Sequence, residues 1–513
     1  MKANNKLAGV IYIASESIYL RIVQLSNGKI KYIEKIDFPI VIGKETYKSR
    51  KISFKRINKA CDILNNFRKL MDEYKVTNYK VVSTTAIRES ENSEYIIDQI
   101  KIKTGLNLEI LEDSEEKNYI YLDLIRSLDR KKFKNEDKIL ITYIGSGSLG
   151  IALYNNGNII FSQNIRIGTL KLTETLAPLI TKTPNFFEVI IEFLSSFRKS
   201  LKTILPTKEI DCIIACGKEI EITRTILDIS KDKDFTQIDV KSLLDLFEKI
   251  QYKNPEQIHK MFNLTDYEAI NLLPLFGVYK MLFDIVDPKR FLMSEANLLD
   301  SLSFEILKPD EFNKIQERYY ESIIMTAKNL AKRFYYDEDH SLSVEKHAVK
   351  IFDSLKKLHG MGLRERLLLR VASILHDTGK AINIKNHAES SYYIVKESEI
   401  LGLSSKELNI IGNIVRYHSG NKPALNDPDF LALSKDDRVL IAKLLAILRL
   451  ADSFDRAHDN KVDNISVRLT KKNLYIYVET IMPAYLEKWS FEVKSDFFED
   501  VFGIKPDFRR VIK

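Results

Sequence analysis

The sequence predicts a multidomain fold: a duplicated α/β region over residues 1–308, an all-α domain over 309–460 and a small α+β tail over 461–513. Three observations carry this. The stretch Val-Ile-Tyr-Ile-Ala-Ser-Glu-Ser at 10–17 returns 131 residues later as Ile-Thr-Tyr-Ile-Gly-Ser-Gly-Ser at 141–148, and each copy leads to an Asn-Gly turn, Asn27-Gly28 or Asn156-Gly157. Strand-like alternation stops near residue 310 and six amphipathic helical patterns follow one another. Alternation then returns at 465–469 and 474–478. A chain of 513 residues is also too long for one hydrophobic core, so division is expected on size alone.

Residues 9–13, 17–25 and 30–38 read as strands, with Ser26, Asn27 and Gly28 supplying the turn between the last two. A helix over 57–74, a strand near 79–83 and helices over 93–104 and 115–128 complete the first copy, so the duplicate is divided at residues 130 and 131. In the second copy, residues 210–215 form an apolar run that reads as a buried strand, which makes Cys212 and Cys216 core residues. Helices are expected at 312–335, 343–358, 363–375, 388–398, 405–417 and 435–454, and a mixed segment around 489–502 closes the tail.

Composition excludes several classes. Hydrophobic residues at 45% and charged residues at 29% are ordinary globular values, which argues against disorder. Apolar runs such as 272–278 are far shorter than a membrane span, and the run at 7–13 leads into Ser15 and Glu16 rather than a cleavage site. Cys61, Cys212 and Cys216 supply no disulfide framework, so the reducing cytoplasm is the expected location. A net charge of +8, from 79 basic and 71 acidic residues, permits an anionic substrate without demanding nucleic acid, and no aromatic-basic motif is present. A homodimer is compatible with the sequence, although no self-complementary face is legible.

The lopsided feature is histidine: seven of the eight fall between His340 and His458. Within the helical region His347, His376, Asp377, His387, His418 and Asp452 lie in or at the ends of expected helices, where a bundle can bring them to one point. Histidine with carboxylate is a donor set for one or two divalent ions such as Mn, Fe, Mg or Zn, and Asp377 beside His376 can bridge two. Lys380 follows one turn later and would neutralise a phosphate there. His340, His359 and His458 read as ordinary hydrogen-bonded or solvated histidines.

The pattern His347, His376-Asp377, His418, Asp452 resembles the HD-domain metal-dependent phosphohydrolases, and His387-Ala388-Glu389 is similar to the next histidine motif of members with two metals. From about residue 8 to residue 510 the chain resembles the Ppx/GppA phosphatases, exopolyphosphatases and guanosine pentaphosphate phosphohydrolases. The matching stretches are 83–89 with Asn92, Glu115-Glu116, Gly145-Ser146-Gly147-Ser148, 167–174, 449–452 and 497–503. The resemblance implies an actin-like (ASKHA, ribonuclease H-like) duplicated region followed by an HD-type helical domain. It implies a hydrolase of phosphorus anhydrides or esters such as polyphosphate or guanosine penta- and tetraphosphate. It also implies Glu116 as general base, and Arg88 and the two hairpin turns, with Ser15, Ser17, Gly145, Ser146, Gly147 and Ser148, on phosphate.

Departures from the family are confined to the first region. Aspartates that end each repeated strand in the family are Tyr12 and Tyr143 here, and its second metal-binding glutamate is Gly150. The Gly-Gly-Thr loop of the family is Cys216-Gly217-Lys218. A protonated phenol does not replace a carboxylate on magnesium. Metal chemistry is therefore expected in the helical half, with Asp377 and Lys380 in the working site. The competing expectation is a degenerate protein that binds nucleotide or polyphosphate and regulates a partner.

Overall fold

The computed structural model describes residues 6–128, 138–180, 182–183, 185–230, 235–420, 422–423, 427–470 and 473–512. The expected division at residues 130 and 131 lies outside them. The chain forms two compact units, Met1–Tyr319 and Tyr320–Lys513.

The repeat is seen directly in the first unit. Strands β1 (Lys6–Ile13), β2 (Ser17–Ser26) and β3 (Lys29–Pro39) form an antiparallel meander, and β4 (Asn78–Ser83) adds parallel to β1 with β5 (Glu109–Ile110) beside it. The second sheet repeats the plan: β6 (Ile139–Ile144), β7 (Leu149–Asn155) and β8 (Asn158–Ile165) form the meander and β9 (Cys212–Cys216) pairs parallel to β6. Strands β10 (Phe235–Ile238) and β11 (Arg290–Ser294) extend it, giving the order β10-β11-β9-β6-β7-β8. Both Asn-Gly turns place Asn and Gly at positive φ, 51° and 73° in the first copy and 50° and 84° in the second. Two left-handed residues in succession are what a two-residue hairpin needs to follow the strand twist.

Helix Phe54–Glu73 bridges β3 and β4. Its Ser53 cap accepts from the Arg56 amide, and Ile57, Ala60, Cys61, Leu64, Phe67 and Met71 are buried at helical spacing in the first core. The second core is larger and includes the ring cluster Tyr279, Phe283 and Phe291. All five residues of β9 are buried, Cys212 and Cys216 among them. Among the described residues no helix is long and apolar enough to cross a membrane.

In the second unit, helix Lys435–Ser453 is the packing centre. Ser434 caps it by accepting from the Asp437 amide, Asp436 and Asp437 favour its positive end, and every residue from Leu444 to Ser453 is buried. Helices Glu338–Ser354, Leu363–Leu375, Ser405–Arg416 and Tyr485–Phe502 all pack on it, and His387–Lys396 packs on Ser405–Arg416. The mixed segment at 489–502 is thus a helix. Residues after 461 also form the sheet β12 (Asn464–Leu469), β13 (Leu474–Glu479) and β14 (Pro506–Val511). Phe491 packs between Phe454 and Phe508, tilted to the first and edge-on to the second, at 5.6 and 5.5 Å between ring centres, and ties the tail to the helices. Phe491→Ala is expected to destabilise this unit by about 3–5 kcal/mol. A downward shift of its urea unfolding midpoint is the measurement, and an unchanged midpoint refutes this packing role.

Candidate functional site

Five helix ends of the second unit converge on one buried carboxylate. His376 caps helix Leu363–Leu375 and Asp377 follows it; His418 lies just past helix Ser405–Arg416; Asp452 is in the last turn of Lys435–Ser453. His340 and His387 are in the first turns of Glu338–Ser354 and His387–Lys396. Between Asp377 and His387 the one-turn helix Thr378–Ala381 must pass close to helix His387–Lys396, and Gly379 makes this possible. A Cβ there would lie 2.1 Å from the His387 carbonyl oxygen, and the Gly379 amide donates to Ser391 Oγ at 2.7 Å.

The two oxygens of Asp377 face different partners. Oδ1 is 3.4 Å from Nε2 of both His387 and His418, while Oδ2 is 3.6 Å from His340 Nε2, 3.5 Å from His376 Nε2 and 2.5 Å from Lys380 Nζ. Donor atoms of His340, His376 and Asp452 lie within 4.8 Å of one another, as do those of His376, Asp377 and His418, and those of His340, Asp377 and His458.

Hydrogen bonds settle which imidazole nitrogen looks inward. His376, His387 and His418 each donate Nδ1–H to the carbonyl three residues earlier, those of Ser373 (2.8 Å), Ile384 (2.9 Å) and Val415 (2.7 Å). Two of these carbonyls, those of Ser373 and Val415, are in last turns of helices. Nε2 of each ring therefore turns a lone pair to the cluster. His340 donates Nδ1–H to Asp455 Oδ2 at 2.8 Å, the carboxylate–histidine pairing that orients metal-ligating imidazoles. Burial alone would discharge His340, but hydrogen bonds to Asp452 and Asp455 outweigh it and push it up to about 9. Its Nε2 is 3.2 Å from that of His376, which burial holds neutral, down to about 4. Burial raises Asp377 and Asp452, yet His376 and His418 beside the first and Lys494 beside the second hold both well below the carboxylate range.

The structure brings together His376, Asp377, His387, His418, Asp452 and Lys380 of the expected residues. His347 is not with them. It is fully buried, edge-on to Phe454 with 5.5 Å between ring centres, and neither ring nitrogen has a hydrogen-bond partner among the described residues. His340, two helical turns earlier on the same face, takes the position expected of it, which overturns the reading of His340 as an ordinary histidine. Asp455, one turn after Asp452 and outside the expected set, joins the site through its bond to His340. The available signal was the spacing itself, since i and i+7 share a helix face and so do i and i+3. His359 is structural, with Nε2 on the Phe352 carbonyl at 2.8 Å and Nδ1 accepting from the Met361 amide. His458 stacks on His340 at 3.7 Å and hydrogen-bonds to Asp337 and Lys380. Inward lone pairs with two carboxylates suit Mn, Fe or Zn, whereas Mg prefers an all-oxygen shell.

The first unit has a cavity of about 380 Å³ lined by Tyr12, Glu116, Tyr143 and the turn Gly145-Ser146-Gly147-Ser148, among others. Ser15, Ser17 and Arg88 are not in its lining: Ser15 is buried beside Tyr47, Ser17 is buried, and Arg88 is held by Asp113 at 2.5 Å and the Leu111 carbonyl at 2.6 Å. Tyr143 donates its hydroxyl to Glu116 Oε1 at 2.9 Å, and the Tyr12 hydroxyl pairs with Thr84 at 3.0 Å. A side chain at Gly150 would meet Lys117 and Tyr121 at 3.0 Å. The buried ammonium of Lys117 donates to Ser148 Oγ at 2.6 Å and is 3.4 Å from Asp113. Two phenols, no side chain at Gly150 and a fixed ammonium beside the turn do not fit the divalent ion that the resemblance implied in this cleft.

Two outcomes follow from the histidine assignments. His340→Ala is expected to weaken manganese binding at least ~10-fold in calorimetry, whereas His347→Leu retains it; the reverse result refutes the placement of His340. His347 is held down to about 4 by burial. Protonation thus opposes folding: the stabilisation is complete above pH 6.5, and about 3 kcal/mol is lost as pH falls from 6.5 to 4. His347→Leu should flatten that part of the stability profile.

The family model described as the Ppx/GppA phosphatase family matches residues 21–308, and that described as Ppx/GppA phosphatase, domain III, matches residues 324–496. A guanosine-5'-triphosphate,3'-diphosphate pyrophosphatase of Aliivibrio fischeri is 19% identical over 467 residues, which are 90% of this chain and 89% of that protein. A bifunctional 3-dehydroquinate synthase/phosphatase of Fusobacterium nucleatum is 28% identical over 297 residues, 56% of this chain and 41% of that one. Among solved structures, an exopolyphosphatase from Cytophaga hutchinsonii aligns with a TM-score of 0.51 at 16% identity, covering 59% of this chain and 98% of its own. That likeness concerns the fold, a duplicated actin-like architecture with mixed sheets. With one family model matching more than half of its length and a second covering most of the helical unit, the chain belongs to the Ppx/GppA phosphatase family.

Proposed function

We propose that this protein is a divalent-metal-dependent phosphohydrolase whose working site is an HD-type centre in the second unit. The reading extends to phosphoanhydrides or phosphoesters such as polyphosphate or guanosine penta- and tetraphosphate. One observation carries it: the two oxygens of a single buried carboxylate, Asp377, face two sets of histidine Nε2 atoms. His340, His376 and Asp452 would hold one ion, His387 and His418 a second, and Asp377 would be shared. Divalent ions bound there supply Lewis acidity toward phosphoryl oxygens. The chain's own part is to hold the donors rigid through the Nδ1 hydrogen bonds, and to keep the carboxylates ionised inside the protein. Lys380, with its side chain 36% exposed, offers a cation to an incoming phosphate.

The reading that places catalysis in the first unit, with Glu116 as base and Arg88 on phosphate, has less support. Glu116 accepts from Tyr143 and Arg88 is committed to Asp113. The retained cavity and Gly/Ser turn favour a ligand-binding role for this half, with nucleotide or polyphosphate as the ligand class.

Manganese-loaded protein assayed on polyphosphate, guanosine tetra- and pentaphosphate and cyclic nucleotides tests the proposal. Asp377→Ala should lower kcat/KM by more than about 100-fold, beyond what loss of an outer hydrogen-bond partner typically costs. Glu116→Ala should leave it unchanged. Activity that survives Asp377→Ala and disappears in Glu116→Ala returns catalysis to the first unit.

A further inference from the structure

Helix Tyr485–Phe502 packs along helix Lys435–Ser453 and inserts a cation beside the metal ligands from outside the histidine-bearing segment. Lys494 is buried, 7% exposed, and its ammonium donates to Asp452 Oδ2. The opposite oxygen, Oδ1, is 3.5 Å from His340 Nε2 and 3.8 Å from His376 Nε2. Asp452 is thus a divided carboxylate, with one oxygen turned to the cluster and the other held by the lysine. Lys380 makes a different contact. It sits on Asp377 Oδ2, the oxygen that also faces His340 and His376, and its side chain is 36% exposed, so it can turn outward. Lys494 is enclosed, with Asp452 as its hydrogen-bond acceptor.

Three carboxylates, Asp377, Asp452 and Asp455, meet in this interior. Buried carboxylates at such separations need compensating charge, and an enclosed lysine supplies it permanently. A divalent ion beside Asp452 must bind against that ammonium, and it finds one oxygen of Asp452 rather than two.

We propose that Lys494 is a positioning residue of the metal centre, which holds Asp452 to a single inward oxygen and acts as a built-in counter-charge that keeps metal affinity moderate and the ion-depleted fold intact. The proposal rests on the metal-centre reading above. It assigns to the C-terminal helix a direct part in setting the centre.

Full-length wild type, Lys494→Arg, Lys494→Met and the exposed same-helix control Lys488→Met would be compared. The measurements are Mn²⁺ affinity by calorimetry and Tm with chelator or with saturating Mn²⁺. Lys494→Met is expected to bind Mn²⁺ about tenfold or more tightly, because a neighbouring like charge is removed. Its Tm should fall in chelator and recover with Mn²⁺. Lys494→Arg and Lys488→Met should stay near wild type. If Lys494→Met does not fold in chelator, the double variant Lys494→Met/Asp452→Asn removes charge and counter-charge together and should regain the Tm; failure to regain it overturns the counter-charge role. Unchanged or weaker Mn²⁺ affinity in Lys494→Met, or an equal loss of Tm with and without Mn²⁺, overturns the proposal while the metal centre stands. Absence of Mn²⁺ binding by wild type overturns the metal-centre reading and this role with it.

Discussion

The second unit is organised around the cost of placing the Asp377 carboxylate in its interior. A charge at that depth is tolerated only when paired and hydrogen-bonded. Four imidazole Nε2 atoms lie between 3.4 and 3.6 Å from its two oxygens and a lysine lies at 2.5 Å, so the required partners are supplied by separate helices. That requirement explains why helix ends rather than helix middles meet there. Last-turn carbonyls take the imidazole Nδ1–H of His376 and His418, which fixes tautomer and direction.

Close packing is the second constraint. Gly379 lets the turn after Asp377 run against the backbone of the His387 helix, and Ser391 takes the Gly379 amide. The continuous burial of Leu444–Ser453 provides the wall against which the other helices are set. Because such an interior is dense and weakly compressible, donor positions are held by the whole unit rather than by local loops.

The first unit shows the same kinds of residue put to a different use. In the second unit polar atoms turn inward with lone pairs exposed to one another. In the first, donors and acceptors are paired among themselves: Tyr143 with Glu116, Lys117 with Ser148, Arg88 with Asp113. Two phenols, Tyr12 and Tyr143, line the cleft, a buried ammonium, that of Lys117, lies beside its Gly/Ser turn, and the cavity has a volume of about 380 Å³.

The duplicated meanders, the helical region and the histidine-rich segment are legible in the residues alone, because hydrophobic period and Asn-Gly turns act over a few residues and are written locally. So are Tyr12 and Tyr143 in place of the expected carboxylates. Which histidine enters the cluster is set by packing between distant segments. His340 and His347 share one helix face, and the choice between them depends on where Asp455 and Phe454, more than a hundred residues later, come to rest. The same holds for Lys494, whose tie to Asp452 exists only because two helices pack side by side. Arg88, Ser15 and Ser17 matched motifs in sequence yet do not line the cavity, since a motif records residue order and packing decides what a side chain touches.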